Sequence, residues 1–193
     1  RGAGSGAIAP LADTEAQPLV SPPAAFPANL LYEAAYAFAD VEVSVSADAA
    51  ATYKIVTGSG SKAVDQLILD SFDGWQWKPA ARVGKSVASK FVLRLNLDQG
   101  LTPPGVSPSL TSLTKPDLSG VYPALSSAPE GTVRFWVTEE GRPSLVRIGR
   151  STGIEAADKA LMTAVLRSRF KPALQNGKPI PAPMEQAFGG KTP

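Results

Sequence analysis

Two stretches decide how this chain is read: "WQWKPAARVGKS" (Trp75–Ser86) and "SRFKPALQNGKP" (Ser168–Pro179). Each has an aromatic residue, Lys-Pro-Ala and, after a short gap, Gly-Lys. The surroundings of the second stretch are periodic. "TVRFWVT" (Thr132–Thr138) alternates, which places Val133, Phe135 and Val137 on one face of a strand. "EEGR" (Glu139–Arg142) supplies a turn in which Gly141 takes positive φ. "PSLVRIGR" (Pro143–Arg150) is a second strand carrying Val146 and Ile148. Thr152 and Glu155 predict a capping box that opens a helix. Along that helix Ala157, Leu161 and Val165 form one apolar stripe. The Lys171-Pro172 step ends it, because a residue before proline is pushed out of helical space. A turn at Asn176-Gly177 then leads to a last strand near Ile180 to Phe188.

The surroundings of the first stretch follow the same order. Val41, Val43 and Val45 alternate, Asp48 and alanines form a turn, and Tyr53 and Ile55 follow. Val64, Leu67, Ile68 and Phe72 share a helical face that Gly74 is suited to end. "VASKFVLRLNL" (Val87–Leu97) closes the segment with Phe91, Leu93, Leu95 and Leu97 in alternation. Sliding one segment onto the other pairs Val41 with Val133, Asp65 with Asp158, Trp77 with Phe170 and Gly84 with Gly177. A single-residue gap near the helix start suffices, so the sequence reads as an internal repeat. The predicted fold is α+β: two tandem ββαβ units, each a three-stranded antiparallel sheet packed on a helix.

Composition sets the boundaries. A chain of 193 residues holds one large domain or two small ones. Much of its 18 Pro and 17 Gly falls into two stretches. Residues 1–29 read as a Pro/Ala-rich linker, a semi-extended tether. "DQGLTPPGVSPSLTSLTKPDLSG" (Asp98–Gly120) supplies a second linker over 99–119, too proline-broken for a helix and too poor in apolar residues for a core strand. The units then occupy 30–98 and 120–193. A net charge of +2 gives no basic field for nucleic acid or an anionic membrane. With no Cys and no His there is no disulfide, no thiolate or imidazole metal site, and no Cys or Ser-His nucleophile. No cofactor and no metal are expected. No run is long and apolar enough to span a bilayer, and a signal or anchor would lie upstream of Arg1.

The second unit resembles the C-terminal domain of the TonB family of energy transducers. "GTVRFWVTEEGRPSLVRIGRSTGIEAADKALMTAVLRSRFKPALQNGKPI" (Gly131–Ile180) carries that resemblance: strand, acidic-Gly turn, strand, "STG" before the helix, helical Asp and alanines, and "RFKPALQNGKP". "VYP" (Val121–Pro123) fits the family's Tyr-Pro entry. The first unit resembles the domain less closely. "SGSKAVDQLILDSFDGWQWKPAARVGKSV" (Ser59–Val87) keeps the helix and its exit, but alanines replace Asp-Gly in the hairpin turn and no Tyr-Pro precedes it. The resemblance implies a non-enzymatic periplasmic module of a Gram-negative envelope. It further implies an anchor and contact with an inner-membrane motor through an N-terminal region outside this sequence, and capture of a short segment of an envelope protein, an outer-membrane receptor or channel.

Such capture would use strand addition at an open sheet edge. The resemblance puts that edge at Met184, Glu185, Gln186, Ala187 and Phe188 in the second unit. In the first unit it falls at Phe91 to Leu97, including Val92 and Arg94. Pro181 and Pro183 remove donors from the second edge, which either shortens it or guards it against non-specific pairing. Trp136 lies opposite the face of Val133, Phe135 and Val137, and reads either as a contact surface or as packed under the Tyr122 segment. Trp75, Trp77 and Phe170 read as core plugs at the helix exits. Arg167, Arg169 and Lys171 read as a solvated helix end, and Asp65 and Asp158 as hydrogen-bond acceptors of the fold. A different reading makes the chain a structural subunit of an envelope assembly, a secretion or motility machine, with ordered linkers and occupied edges. An enzyme would need a cleft of converging polar groups, and the sequence shows no such constellation.

Overall fold

The computed structural model describes residues 13–121 and 130–189. In chain order its elements are β1 (Gln17–Val20), α1 (Ala28–Leu31), β2 (Phe38–Val45), β3 (Ala51–Thr57), α2 (Lys62–Asp70), β4 (Gln76–Lys78), β5 (Ala80–Arg82), β6 (Lys85–Val87) and β7 (Ser89–Asn96). There follow β8 (Ser109–Ser112), β9 (Gly131–Val137), β10 (Pro143–Arg150), α3 (Glu155–Arg167), β11 (Arg169–Lys171), β12 (Ala173–Gln175), β13 (Lys178–Ile180) and β14 (Ala182–Phe188). The fold is mixed α+β with antiparallel sheets, as the alternation predicts. The described residues form two compact units. One takes in residues up to Ala25 with Asp40–Thr57 and Gln66–Arg94; the other takes in Phe26–Ala39, Gly58–Asp65 and the chain from Leu95 onward.

The first three-stranded sheet has the order β3-β2-β7. In its central strand Ala39, Val41, Val43 and Val45 are buried, while Asp40, Glu42 and Ser44 between them are half-buried. Burying each valine contributes about 1.5–3 kcal/mol. An aromatic cluster gathers around the helix exit. Tyr53 stacks on Phe72 at 4.2 Å, and Trp77 meets Phe91 edge-on at 5.4 Å. The Trp77 indole N–H donates to the Tyr53 hydroxyl at 2.8 Å, which satisfies a polar group that burial would otherwise orphan.

The second sheet has the order β10-β9-β14. Val133, Phe135, Val137, Val146, Phe170 and Phe188 share one core with Leu161, Ala164 and Val165 of α3. Gly141 has φ +75 in the hairpin turn, and a Cβ there would collide with the Phe170 carbonyl oxygen. Glycine is required at this place for both reasons. The predicted last strand is split: Pro181 interrupts it, leaving the short β13 and the edge strand β14.

The helix start differs from the predicted capping box. Ile154 is the N-cap of α3 and makes no side-chain cap, and Thr152 lies outside the helix. Asp158 does the holding instead, one turn in. Its carboxylate accepts from the Thr152 N–H at 2.8 Å, the Thr152 hydroxyl at 2.7 Å and the Ser151 hydroxyl at 2.6 Å. Burial, the largest single influence, pushes the Asp158 pKa up, and the Ser151 and Thr152 hydrogen bonds outweigh it, leaving the carboxyl below its ordinary range. Asp65 does the same before α2, accepting from the Ser59 N–H at 2.7 Å.

Parts of both linkers are docked strands. β1 pairs antiparallel with β4, the Val83 N–H donates to Asp13, and Arg82 bridges Glu15 at 2.7 Å. β8 pairs antiparallel with β11, and the Thr114 N–H donates to the Ser168 hydroxyl at 2.9 Å. Residues 13–20 and 109–114, which composition reads as parts of a semi-extended tether and of a second linker, are therefore held by pairing. Their side chains add nothing to a core, since β1 and β8 are exposed throughout, so their hold comes from main-chain pairing.

Candidate functional site

A strand can be added only where main-chain groups point away from the sheet, so the direction of those groups decides what each edge offers. In the β9–β10 hairpin the Thr138 N–H donates to the Arg142 carbonyl at 2.8 Å. Even-numbered residues of β9 therefore aim their main-chain groups at β10, and odd-numbered ones at β14. In β14 Met184 lies opposite Phe135 and Gln186 opposite Val133, so these bond inward. Pro183, Glu185 and Ala187 point outward. Pro183 has no N–H to offer, and the Ala187 carbonyl already accepts from its neighbour, the Gln186 side-chain amide, at 2.7 Å. Proline is tolerated here because its missing donor lies on the open side. The edge thus offers the N–H of Glu185 and Ala187 and the carbonyls of Pro183 and Glu185.

The predicted residues of this edge serve two faces. Met184 and Phe188 turn toward the α3 core. Glu185 lies opposite Arg134, which bonds it at 2.8 Å, and hydrogen bonds from Arg134 and then Thr132 hold its carboxyl below the usual range. Trp136 is not the exposed contact surface that alternation allowed. It is only 6% exposed, with the Tyr32 ring at 5.5 Å. Tyr122, the other cover considered for it, lies outside the described residues. A pocket of about 310 Å³ opens beside β14, lined by Trp136, Leu145, Arg147, Pro183 and Glu185 among others.

The opposite edge of the second sheet is partly closed by the chain itself. Leu145 and Val146 donate to the carbonyls of Ala34 and Ala35 at 2.9 and 2.8 Å, and the Ala37 N–H returns to Val146 at 3.0 Å. Leu145 bulges there into the left-handed region, φ 49, which suits glycine and costs a leucine about 1–2 kcal/mol. Sequence reading missed this cover. Its one signal was the short apolar and alanine-rich run from Phe26 to Ala37, where no alternation or helical stripe persists.

In the first sheet the Leu97 N–H donates inward to the Ala37 carbonyl at 2.7 Å. The Arg94–Asp40 ion pair keeps the same register three residues earlier, so the alternation of β7 is unbroken. By that alternation Phe91, Leu93 and Leu95 turn their main-chain groups toward β2, while Lys90, Val92, Arg94 and Asn96 turn theirs away from it. Those four are the exposed residues of the strand. Phe91 packs against Trp77, and Val92 is 57% exposed. Arg94 grips Asp40 through two hydrogen bonds of 2.7 and 2.8 Å, and that grip holds the Asp40 carboxyl below its ordinary range. Lys90 and Asn96 belong to this edge and were not singled out from the sequence, although their even spacing with Val92 and Arg94 was there to be read.

Among the described residues no three or more His, Cys, Asp and Glu side chains converge on a metal-sized space, and no helix is long and apolar enough to cross a membrane. Each of the two small sheets ends in a terminal strand, the geometry that strand addition requires. Residues 126–188 match the model of the family described as Gram-negative bacterial TonB protein C-terminal. Those residues form a TonB C-terminal-like domain, and the match runs to the last residue of β14. It supports a TonB-like, periplasmic protein-interaction module of non-catalytic type. No curated protein and no solved structure matches the chain.

Proposed function

We propose that this chain is a non-enzymatic periplasmic module that captures extended segments of envelope proteins, an outer-membrane receptor or channel, by strand addition at β14 and β7. The observation that carries the reading is the set of outward main-chain groups on a terminal strand in a TonB C-terminal-like domain. Each main-chain hydrogen bond contributes about 0.5–1.5 kcal/mol net, so an edge must offer several to resist a pull. Photo-crosslinking in cells from Glu185 and Arg94, with mass spectrometry of the products, tests it. Capture of an outer-membrane protein that is lost when energy coupling is abolished is the expected result. Capture of fixed neighbours irrespective of energy would instead make the chain a structural subunit of an envelope assembly. The docking of β1 and β8 favours that second reading, since linkers threaded into an assembly are held.

A further inference from the structure

The aromatic-Lys-Pro step occurs twice in the sequence, and at each place the short strand it forms, β4 or β11, receives a linker strand. In the first unit Gln17 lies opposite Lys78, Pro18 opposite Trp77 and Val20 opposite Gln76. In the second Ser109 lies opposite Lys171, Leu110 opposite Phe170 and Ser112 opposite Arg169. The register is the same, and so is its irregularity: one linker residue, Leu19 or Thr111, is passed over between paired neighbours. Gln17 to Ser109 is the same step along the chain as Val41 to Val133, so each linker strand belongs to its repeat. Yet "QPLV" and "SLTS" share no residue at matching places.

The motif explains why such different strands fit. Trp77 and Phe170 are buried, so each acceptor strand is pinned by its middle residue. The Phe170 N–H donates to the Gly141 carbonyl at 3.1 Å, which turns the Phe170 main chain away from β8 and leaves Arg169 and Lys171 to face it. Leu110, opposite Phe170, accordingly turns its main chain outward, and the matching place in β1 holds a proline, which has no N–H to lose. Pro79 and Pro172 follow the two lysines and end each ladder at three residues. β1 and β8 are exposed throughout, so recognition runs through the main chain. A hold without buried apolar area lies at the low end of a fold's local stabilities.

We propose that the aromatic-Lys-Pro strand of each unit is a docking slot for an extended linker segment of this chain, taken up through the main chain whatever its side chains, and that the linker leaves and returns while its unit stays folded. Release lengthens the tether in front of the unit, and docking shortens it. The slot is separate from the sheet edges β7 and β14, and it stands whether or not those edges capture a partner.

Hydrogen exchange of the whole chain tests this. Thr14 and Ala81, whose amides bond each other's carbonyls at 3.0 and 2.9 Å, report on the first slot, and Lys171 reports on the second. These amides are expected to exchange at least about tenfold faster than those of Val43 and Phe135, at a rate that low urea leaves unchanged, since a local opening exposes little surface. Asp13→Ala removes the acceptor of the Val83 N–H, and Thr114→Ala removes the hydroxyl bonded to the Arg167 carbonyl. Each should speed exchange in its own slot about two- to twelvefold. Exchanging Gln17–Val20 with Ser109–Ser112 should leave both slots protected. Loss of protection in a swapped chain that still melts cooperatively would mean that side chains select the linker, and overturns the slot's tolerance. Exchange of these amides only through global unfolding, with no effect of either single variant, overturns the release. Protection that rises with protein concentration makes a neighbouring copy's linker the occupant and overturns docking within one chain.

Discussion

The two sheets share an order of elements and differ in how they treat their outer faces. The first leaves its face to ion pairs: Glu42 with Lys90, and Asp40 with Arg94. The second keeps one such pair, Arg134 with Glu185, and also buries a tryptophan there, with Tyr32 beside it. Their edges differ in parallel. β7 is eight residues without a proline, and β14 is seven with Pro183 on its open side and one outward carbonyl already satisfied. The same framework can thus make a charged, nearly complete edge or a shortened one beside an apolar face. Side-chain choice at a few alternate positions separates the two.

Substitutions at matching places test this contrast. Trp136→Ala should cost about 3–5 kcal/mol, as for other buried aromatics, whereas Ser44→Ala at the corresponding place in β2 should be close to neutral. Urea denaturation of each variant measures both, and equal effects would mean that the two faces are not treated differently. Gly141→Ala should cost about 1–3 kcal/mol from left-handed strain, plus whatever is lost in displacing the Phe170 carbonyl. In the first hairpin Ala49 already adopts φ 71, so Ala49→Gly should stabilise by about 0.5–1 kcal/mol. A Tm that falls for both substitutions would break the comparison of the turns.

Asp158→Asn should lose about 1–3 kcal/mol, because one of the two carboxylate oxygens that accept from Ser151 and Thr152 becomes an amide nitrogen that cannot accept. The carboxyl is lowered in the folded chain. Its contribution is therefore fully present above the ordinary carboxylate pKa and lost as pH falls through the lowered value. The wild-type chain and the Asp158→Asn variant should converge in stability in acid, which denaturation at a series of pH values would show. A constant gap down to low pH would mean that the loss comes from packing and not from charge. Asp40 has the same sign, its grip by Arg94 weakening as acid protonates it. The effect of Arg94→Gln on stability should accordingly shrink at low pH, and it should be small at any pH because the side chain is largely exposed.

Much of the fold was legible because both sheets alternate cleanly. Val41, Val43 and Val45, and again Val133, Phe135 and Val137, are buried as a period of two requires. The glycine turn at Gly141 was equally plain, but the helix end was not: α3 stops at Arg167, and the Lys171-Pro172 step closes the short strand β11 instead. The helix start was not, because Thr152 and Glu155 match a local motif while the actual holder, Asp158, lies inside the helix and works only through the preceding loop. β1 and β8 were illegible for another reason. They bury no side chain, so no hydrophobic period marks them, and pairing through the main chain leaves no trace in composition. Trp136 points away from the helix, as its place in the alternation requires. What covers it lies far upstream, in Tyr32, and nothing local announces a contact of that range.

That distance has a consequence for how the second sheet is assembled. Its β10 edge is completed by Ala34, Ala35 and Ala37, residues made before the whole of the first sheet. Closing so long a loop is entropically costly and slow, so the last step of folding should be the arrival of this segment and not the closing of the β9–β10 hairpin. A fragment starting at residue 120 would form the hairpin and α3 readily. It would then remain with the Leu145 and Val146 amides unpaired and Trp136 without Tyr32.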